Sequence, residues 1–553
     1  MKRIKIFVIM LIAGVLGGGC TRNFEETNRN PNSPDQLNPE YLFNSSVYYT
    51  LNAFSGEMKK RLLGNYCHYY WGSSDQMGRY GNFPSSNDTY WRRAYNEALF
   101  PVRYIQDRKT GDASYRNRLI IARIWENYIF SQIVSIWGNV PKTHALKASQ
   151  KVPYDREEYI YYELLDDLKA CAEGLDLSGD RYQNDPVYPS SDKSSDLLKW
   201  KKFANSLRFR LAVRISNDAP NGNPQKARAV ISELMEDESA MISGAEDNCV
   251  VKWGSTSATR NYFYDYMIVE REANKDKLNT AGESILQHMA PYGDPRIPKF
   301  FTEANPLQMP AGFVWAPYWG EPKNSSTPPG VTINPNPHSG KTSEDYSMMQ
   351  DAFFVADYAE VLFCYAEMCL LKCEAVYRGL TDRGNTAESY YNAGIEASMA
   401  QYGVTASETA DYLRVPGIAW GTLSDLSEGE TKYQDWLGIT SSAIKADDPD
   451  PVYRQIVMQQ YIALFYQSLE AWTLIRRTQV LEFPPHLSPD TGNGAVTPTG
   501  KTFAYIPQRL VYPDNETLNN NDELQKAIGW MDGGDRMSTK LWFAKPTKEN
   551  PYL

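Results

Sequence analysis

DYAEVLFCYAEMCLLKCEAVYRGLTDRGNTAESYYNAGIEASMAQY, residues 357–402, carries the clearest secondary-structure signal of this chain. Apolar residues recur at three- and four-residue steps across Tyr358–Val376, which predicts a helix that ends at Gly379. A polar turn, residues 381–386, leads to a second predicted helix. The small residues of this second helix are Ala393, Gly394 and Ala397. Two antiparallel amphipathic helices that cross at small residues resemble a tetratricopeptide-type hairpin, although no strict sequence repeat occurs.

Helical patterning extends through the rest of the chain. The same periodicity predicts helices over Leu119–Trp137, Leu198–Ile215 and Tyr453–Arg477. Long stretches rich in Gly, Pro, Asn and aromatic residues lie between them: Asn65–Tyr95, Asn305–Glu344 and Phe483–Asp535. Loops of this length in a compact protein are usually functional or disordered. The sequence therefore predicts an all-α fold, with tetratricopeptide-like helix pairs in one scaffold, long irregular loops and minor β structure, over residues 41–553.

The first twenty residues have the form of an export signal. Three basic residues precede an apolar run, Ile6–Leu16, which is too short to span a bilayer and leads through three glycines to Cys20. A cysteine after small residues resembles a bacterial lipoprotein signal, although Leu16 stands one position further from the cysteine than is usual. We interpret residues 1–19 as the signal and 20–40 as the lipidated cysteine with a flexible tether. An ordinary cleaved signal with a coincidental cysteine is the alternative.

Composition narrows the classes of ligand. The net charge is −10 over 553 residues, which argues against nucleic acid or an anionic membrane surface as a partner. The chain holds 38 Tyr, 20 Phe and 13 Trp, and most of these rings are expected in the core. Tyr and Trp combine an apolar face with a hydrogen-bonding tip, which suits the apolar faces and hydroxyl rims of sugars.

Motifs for metal, phosphate or nucleophilic chemistry are missing from the sequence. The five histidines show no helical metal-binding spacing, and no Gly-x-Ser-x-Gly motif occurs. Three cysteines on one predicted helix, Cys364, Cys369 and Cys373, fit no zinc pattern and are interpreted as core thiols. We predict no catalytic residues, metal or cofactor. A glycosidase needs only two suitably separated carboxylates, so an extracellular glycoside hydrolase of helical toroid type stays open.

Several segments in collinear order resemble one family. They are Asn30-Pro31-Asn32, Trp137-Gly138-Asn139-Val140-Pro141, Trp200–Leu211, Gly293-Asp294-Pro295-Arg296, Tyr358-Ala359-Glu360-Val361, Leu469-Glu470-Ala471-Trp472 and Ile506-Pro507-Gln508-Arg509-Leu510. With the lipoprotein signal, they resemble the SusD/RagB family of outer-membrane lipoproteins. The resemblance implies a lipid-anchored protein on the cell exterior that captures glycans or peptides without catalysis. It also implies a SusC-like TonB-dependent transporter as partner.

We look for candidate ligand-binding residues in the loops, because periodicity places the residues of the family motifs in the helical core. Trp71 and Tyr80 lie in the first long loop, and Trp315, Tyr318 and Trp319 lie in a Pro- and Gly-broken segment, residues 312–320. These rings are predicted as stacking platforms for a ligand. The alternative is that they pack beneath the loops, and a purely structural surface lipoprotein is a further alternative function.

Overall fold

The computed structural model describes residues 37–72, 79–147, 149, 151–190, 192–217, 222–257, 259–270, 279–322, 340–426, 442–497 and 499–544. The longer α-helices are α1 (Pro39–Phe54), α2 (Pro84–Arg92), α3 (Phe100–Lys109), α4 (Arg116–Trp137), α5 (Glu157–Gly174), α6 (Lys193–Arg214), α7 (Pro224–Leu234), α8 (Glu283–Met289), α9 (Tyr365–Tyr377), α10 (Ala387–Gln401), α11 (Ala406–Tyr412), α12 (Pro451–Ala463), α13 (Ser468–Thr478), α14 (Asp514–Asn519) and α15 (Asn521–Gly529). The strands are β1 (Tyr70–Gly72), β2 (Cys249–Lys252), β3 (Asn279–Ala281) and β4 (Ala359–Phe363). The predicted helical fold with minor β structure is confirmed.

Helix pairs build the scaffold. Helices α9 and α10 form the predicted hairpin, and α4, α5, α6 and α7 pack in succession along the chain. At the α9–α10 crossing, a Cβ on Gly394 would lie 2.6 Å from Leu370 Cγ, so the absence of a side chain allows the close approach. Gly394, one of the three small residues named in the prediction, therefore lies at this crossing as expected.

The start of the hairpin differs from the prediction. Residues Ala359–Phe363 form β4, which pairs antiparallel with β2, and helix α9 begins only at Tyr365. The burial of successive β4 residues roughly alternates, which accommodates a strand. A short apolar run fits the periodicity of a helix as well as that of a strand. Here the pairing with β2, which is distant in sequence, favours the strand.

The helix predicted over Tyr453–Arg477 is in fact two helices, α12 and α13. Between them Tyr466 has a φ of 69°, which interrupts a right-handed helix. The Tyr466 ring lies 3.3 Å beneath the Lys59 ammonium and 4.9 Å from the Phe353 ring. These contacts are made across the fold, so periodicity along the chain does not reveal the break.

One extended apolar cluster links residues from Leu42 to Ala544. The largest fully buried rings in it include Trp125, Trp137, Trp200 and Trp472. Cys364, Cys369 and Cys373 are buried and unpaired, as predicted. No helix in the described part of the chain is long and apolar enough to cross a membrane. The predicted signal, Cys20 and tether up to residue 36 lie outside the described residues.

Candidate functional site

A small sheet carries the candidate site. Strands β1 and β3 pair antiparallel, with Trp71 opposite Thr280. The Glu321 amide donates to the Ala281 carbonyl at 2.8 Å, and the Ala281 amide donates to the Ser347 carbonyl at 2.7 Å. We call this assembly the four-segment sheet; it consists of residues 70–72, 279–283, 319–321 and 347–349. Its backbone bonds hold together parts of the chain that are distant in sequence.

Two glycines allow the segments of this sheet to pack closely. A Cβ on Gly282 would lie 2.4 Å from the His68 carbonyl oxygen. A Cβ on Gly320 would lie 2.6 Å from Glu283 Cα. Both contacts are with backbone atoms, which cannot rotate away as a side chain does. Glycine is therefore required at both positions for this geometry.

We call residues 304–320 the aromatic loop; its last two residues, 319 and 320, also belong to the four-segment sheet. Trp315 and Trp319 form, with Tyr346 and Ala304, an apolar cluster separate from the main core. The Trp319 and Tyr346 ring centroids lie 4.8 Å apart, and Phe313 lies 5.7 Å from Trp315. Tilted aromatic contacts at these distances are favourable beyond the apolar area that they bury. The loop is therefore held from below by Trp315 and Trp319, which cluster with Tyr346 from outside the loop.

The five predicted binding residues differ in exposure. Trp319 is fully buried, Trp315 is 4% exposed, and Trp71 and Tyr80 are also buried. Tyr318 is partly exposed, as is Phe313, and the neighbouring Val314 is 58% exposed. Of the predicted residues, Tyr318 therefore presents the most surface to a ligand in this conformation. A binding role for all five stays a prediction, and the alternative of packing beneath the loop agrees with the position of both loop tryptophans.

Contacts link the two predicted groups of residues. Trp71 Nε1 donates to the Glu321 carbonyl oxygen at 2.6 Å. Trp71 also packs edge-on against His68 at 4.9 Å, and His68 Nε2 lies 3.1 Å from the Tyr80 hydroxyl. The structure thus brings Trp71 to the base of the aromatic loop and connects Tyr80 to Trp71 through His68, although the sequence separates the two groups by more than two hundred residues.

The phenols of the site are uncharged at neutral pH. Burial raises the pKa of Tyr80 well above its usual value. Burial raises the pKa of Tyr346, and the carboxylates of Glu321 and Glu283 raise it further. Burial also raises the pKa of Tyr318, with a contribution from Glu303. Each hydroxyl therefore keeps its proton and can donate a hydrogen bond.

Among the residues that the structure describes, no group of three or more His, Cys, Asp or Glu side chains is arranged to hold a metal ion. The polar groups close to the aromatic loop include Lys341, whose Nζ donates to Gln308 at 2.7 Å and lies 6.0 Å from the Trp319 ring. Such groups suit hydrogen bonding to a ligand.

Sequence reasoning missed four residues of this region: Phe313, Tyr346, Glu321 and His68. Phe313 lies in the same Pro- and Gly-broken segment as the predicted residues, so its position in the loop was visible. Tyr346 and His68 reach the site only through tertiary contacts. Glu321 acts through its backbone, and its carboxylate accepts a hydrogen bond from Thr280. No local pattern marks such contacts.

A family model matches most of this chain, and several solved structures share its fold. Residues 31–513 match the SusD-like family described as "Starch-binding associating with outer membrane". A solved structure described as a chitin-binding protein has a TM-score of 0.71 at 22% identity, covering 92% of this chain and all of its own. A SusD homologue from Parabacteroides distasonis has a TM-score of 0.71 at 21% identity, covering 93% of this chain and 100% of its own. A chitin-binding SusD homologue from Flavobacterium johnsoniae has a TM-score of 0.69 at 18% identity, with 93% and 100% covered. No curated protein matches the sequence.

Proposed function

The chain belongs to the SusD-like family of starch-binding, outer-membrane-associated proteins, and on that premise we propose that it captures a glycan at the cell surface and releases it uncleaved. A peptide ligand is the alternative cargo. Similar solved structures include proteins described as chitin-binding, which supports an oligosaccharide as the first ligand to test.

One observation carries this proposal: the aromatic loop presents partly exposed rings above a fixed base. Tyr318 and Phe313 retain accessible surface, while Trp315 and Trp319 hold the loop from beneath. A ring fixed in this way loses little conformational freedom when a sugar stacks on it. The neutral phenol of Tyr318 can also donate to a sugar hydroxyl or to an oxygen of another polar ligand.

We further propose that the protein is anchored at the exterior of the outer membrane by lipid on Cys20. The basic, apolar and small-residue segments before Cys20 support this location. Two or more acyl chains give a stable anchor, because each buried methylene contributes about 0.8 kcal/mol. A SusC-like TonB-dependent transporter is the proposed partner, which receives the captured ligand from this protein. That partnership rests on the family resemblance.

The absence of catalysis is part of the same proposal. Two sequence features support it: no Gly-x-Ser-x-Gly motif occurs, and the five histidines show no helical metal-binding spacing. An extracellular glycoside hydrolase is the competing function. The two functions differ in the fate of the bound oligosaccharide.

We expect Tyr318→Ala to weaken glycan binding about tenfold, because loss of an exposed stacking ring at a contact centre typically costs more than about 1 kcal/mol. Isothermal titration with maltooligosaccharides and chitooligosaccharides measures the effect. Tyr159→Ala is the control, because Tyr159 is a tyrosine on α5 that is 60% exposed. Equal affinities for the Tyr318 variant and the wild type would contradict this location of the site.

A further inference from the structure

We propose that His68 is a positioning residue of the ligand site, an inference that rests on the proposed function. Its imidazole joins three parts of the chain: residues 79–83, the start of α8, and the four-segment sheet that bears the aromatic loop. His68 touches no part of the exposed ligand surface, since it is fully buried. It acts through Trp71.

The two ring nitrogens of His68 fix the plane of the imidazole. Nδ1 lies 3.1 Å from Ser284 Oγ, and Nε2 lies 3.1 Å from the Tyr80 hydroxyl. All three residues are buried, so water does not compete easily for these bonds. The ring is therefore held between α8 and residues 79–83.

The same ring also packs against Trp71 and Phe483. The His68 and Trp71 centroids lie 4.9 Å apart with planes at 73°, and Phe483 lies 5.0 Å away from His68. Trp71 in turn donates to the carbonyl of Glu321, the residue that follows Gly320 at the end of the aromatic loop. A displacement of His68 thus reaches the base of the loop through one side chain.

His68 and Tyr80 share an uncommon backbone conformation. Five non-glycine residues in the described part of the chain have a positive φ, and His68 at 57° and Tyr80 at 62° are two of them, in the left-handed region that non-glycine residues rarely adopt. Such conformations persist only where the surroundings impose them, and they cluster at ligand clamps and functional sites. Here two of them are joined by one contact between side chains.

Tyr80 extends the coupling to a second loop. The Arg79 carbonyl accepts from the Asp490 amide at 2.9 Å, and the Asn82 amide donates to the Asn493 carbonyl at 2.5 Å. Residues 79–83 are therefore hydrogen-bonded to the segment around Asp490. His68 links this pair of segments to the four-segment sheet and, through Trp71, to the aromatic loop.

The test separates positioning from general stability. His68→Asn keeps a residue that tolerates the left-handed backbone but is too short to reach Tyr80 and lacks the ring. Tyr80→Phe removes only the hydroxyl.

We expect His68→Asn to weaken glycan affinity about tenfold and Tyr80→Phe about threefold, the range of a lost buried hydrogen bond. The double variant should bind no more weakly than His68→Asn alone, because the two residues share one contact. His144→Asn, at an exposed histidine, is the matched control.

Hydrogen exchange supplies a readout that needs no ligand. The amide of Glu321 should exchange faster in His68→Asn and Tyr80→Phe than in the wild type or the His144 variant. Wild-type affinity in both variants, with unchanged exchange at Glu321, would overturn the inference even if the melting temperature fell. If the wild type binds no glycan, the proposed function fails. In that case the exchange result still decides for or against positioning by His68.

Discussion

Glu374→Gln is expected to lower the free energy of unfolding by about 3–5 kcal/mol, because it leaves a buried arginine without its counter-charge. Glu374 lies on α9 and is fully buried. Its two carboxylate oxygens each accept from Arg477 of α13 at 2.6 Å. Gln460 of α12 donates to it at 2.9 Å, and Arg378 at 3.0 Å. One carboxylate therefore ties the hairpin helix α9 to α12 and α13.

The same carboxylate has a predicted pH signature. Burial alone would raise its pKa, but the Arg477 charge and hydrogen bonds outweigh burial and lower the pKa from 4.5 to about 2. A carboxylate with a depressed pKa stabilises the fold above its unfolded pKa, and the contribution is lost as the pH falls through the folded value. The difference in stability between wild type and Glu374→Gln should therefore shrink between about pH 4.5 and pH 2, by about 3 kcal/mol.

Urea unfolding at several pH values measures both effects. Glu388→Gln is the matched control, because Glu388 is exposed on α10. This substitution should change the free energy of unfolding by less than about 0.5 kcal/mol. If Glu374→Gln proved no more destabilising than Glu388→Gln, the buried carboxylate would not hold the helices together as described.

Gly320→Val is expected to disrupt the ligand site while leaving the helical scaffold folded. A Cβ at Gly320 would lie 2.6 Å from Glu283 Cα and 2.8 Å from its amide nitrogen, and neither backbone atom has room to yield. The segment 319–321 must then leave the four-segment sheet, which breaks the bond from the Glu321 amide to the Ala281 carbonyl. We expect glycan affinity to fall by at least about tenfold, a loss of about 1.4 kcal/mol or more, and overpacking to destabilise the fold by about 1–3 kcal/mol.

Titration calorimetry and hydrogen exchange across residues 315–321 report this change. Gly529→Val serves as the control, because a Cβ at Gly529 meets nothing within 4 Å. Far-ultraviolet circular dichroism of both variants should match the wild type. Unchanged affinity and unchanged exchange at Glu321 in Gly320→Val would show that the close backbone packing does not support the site.

The sequence predicts the helical scaffold well where the pattern is local. The helix predicted over Leu119–Trp137 appears as α4, Arg116–Trp137. Strand β4 and the break at Tyr466 escape prediction because both depend on distant partners. Strand β4 forms by pairing with β2, and Tyr466 at the helix break packs against Lys59.

In the candidate site, too, local features were predictable from the sequence and contacts between distant residues were not. Composition marks the aromatic loop as irregular and ring-rich, so its position along the chain was predictable. Which rings face solvent was not, because the burial of Trp319 depends on Tyr346, a residue from a separate part of the chain. The link between Trp71 and Glu321 likewise joins positions 250 residues apart. Periodicity along one segment carries no information on such pairs.

The fate of a captured oligosaccharide tests the central claim most directly. The purified protein should be incubated with chitooligosaccharides and maltooligosaccharides at concentrations well above the dissociation constant. The sugars should then be recovered and their masses measured by mass spectrometry. We predict saturable binding and recovery of every oligosaccharide at its original length. Shorter products that accumulate in proportion to protein concentration would contradict capture without catalysis and favour a hydrolase.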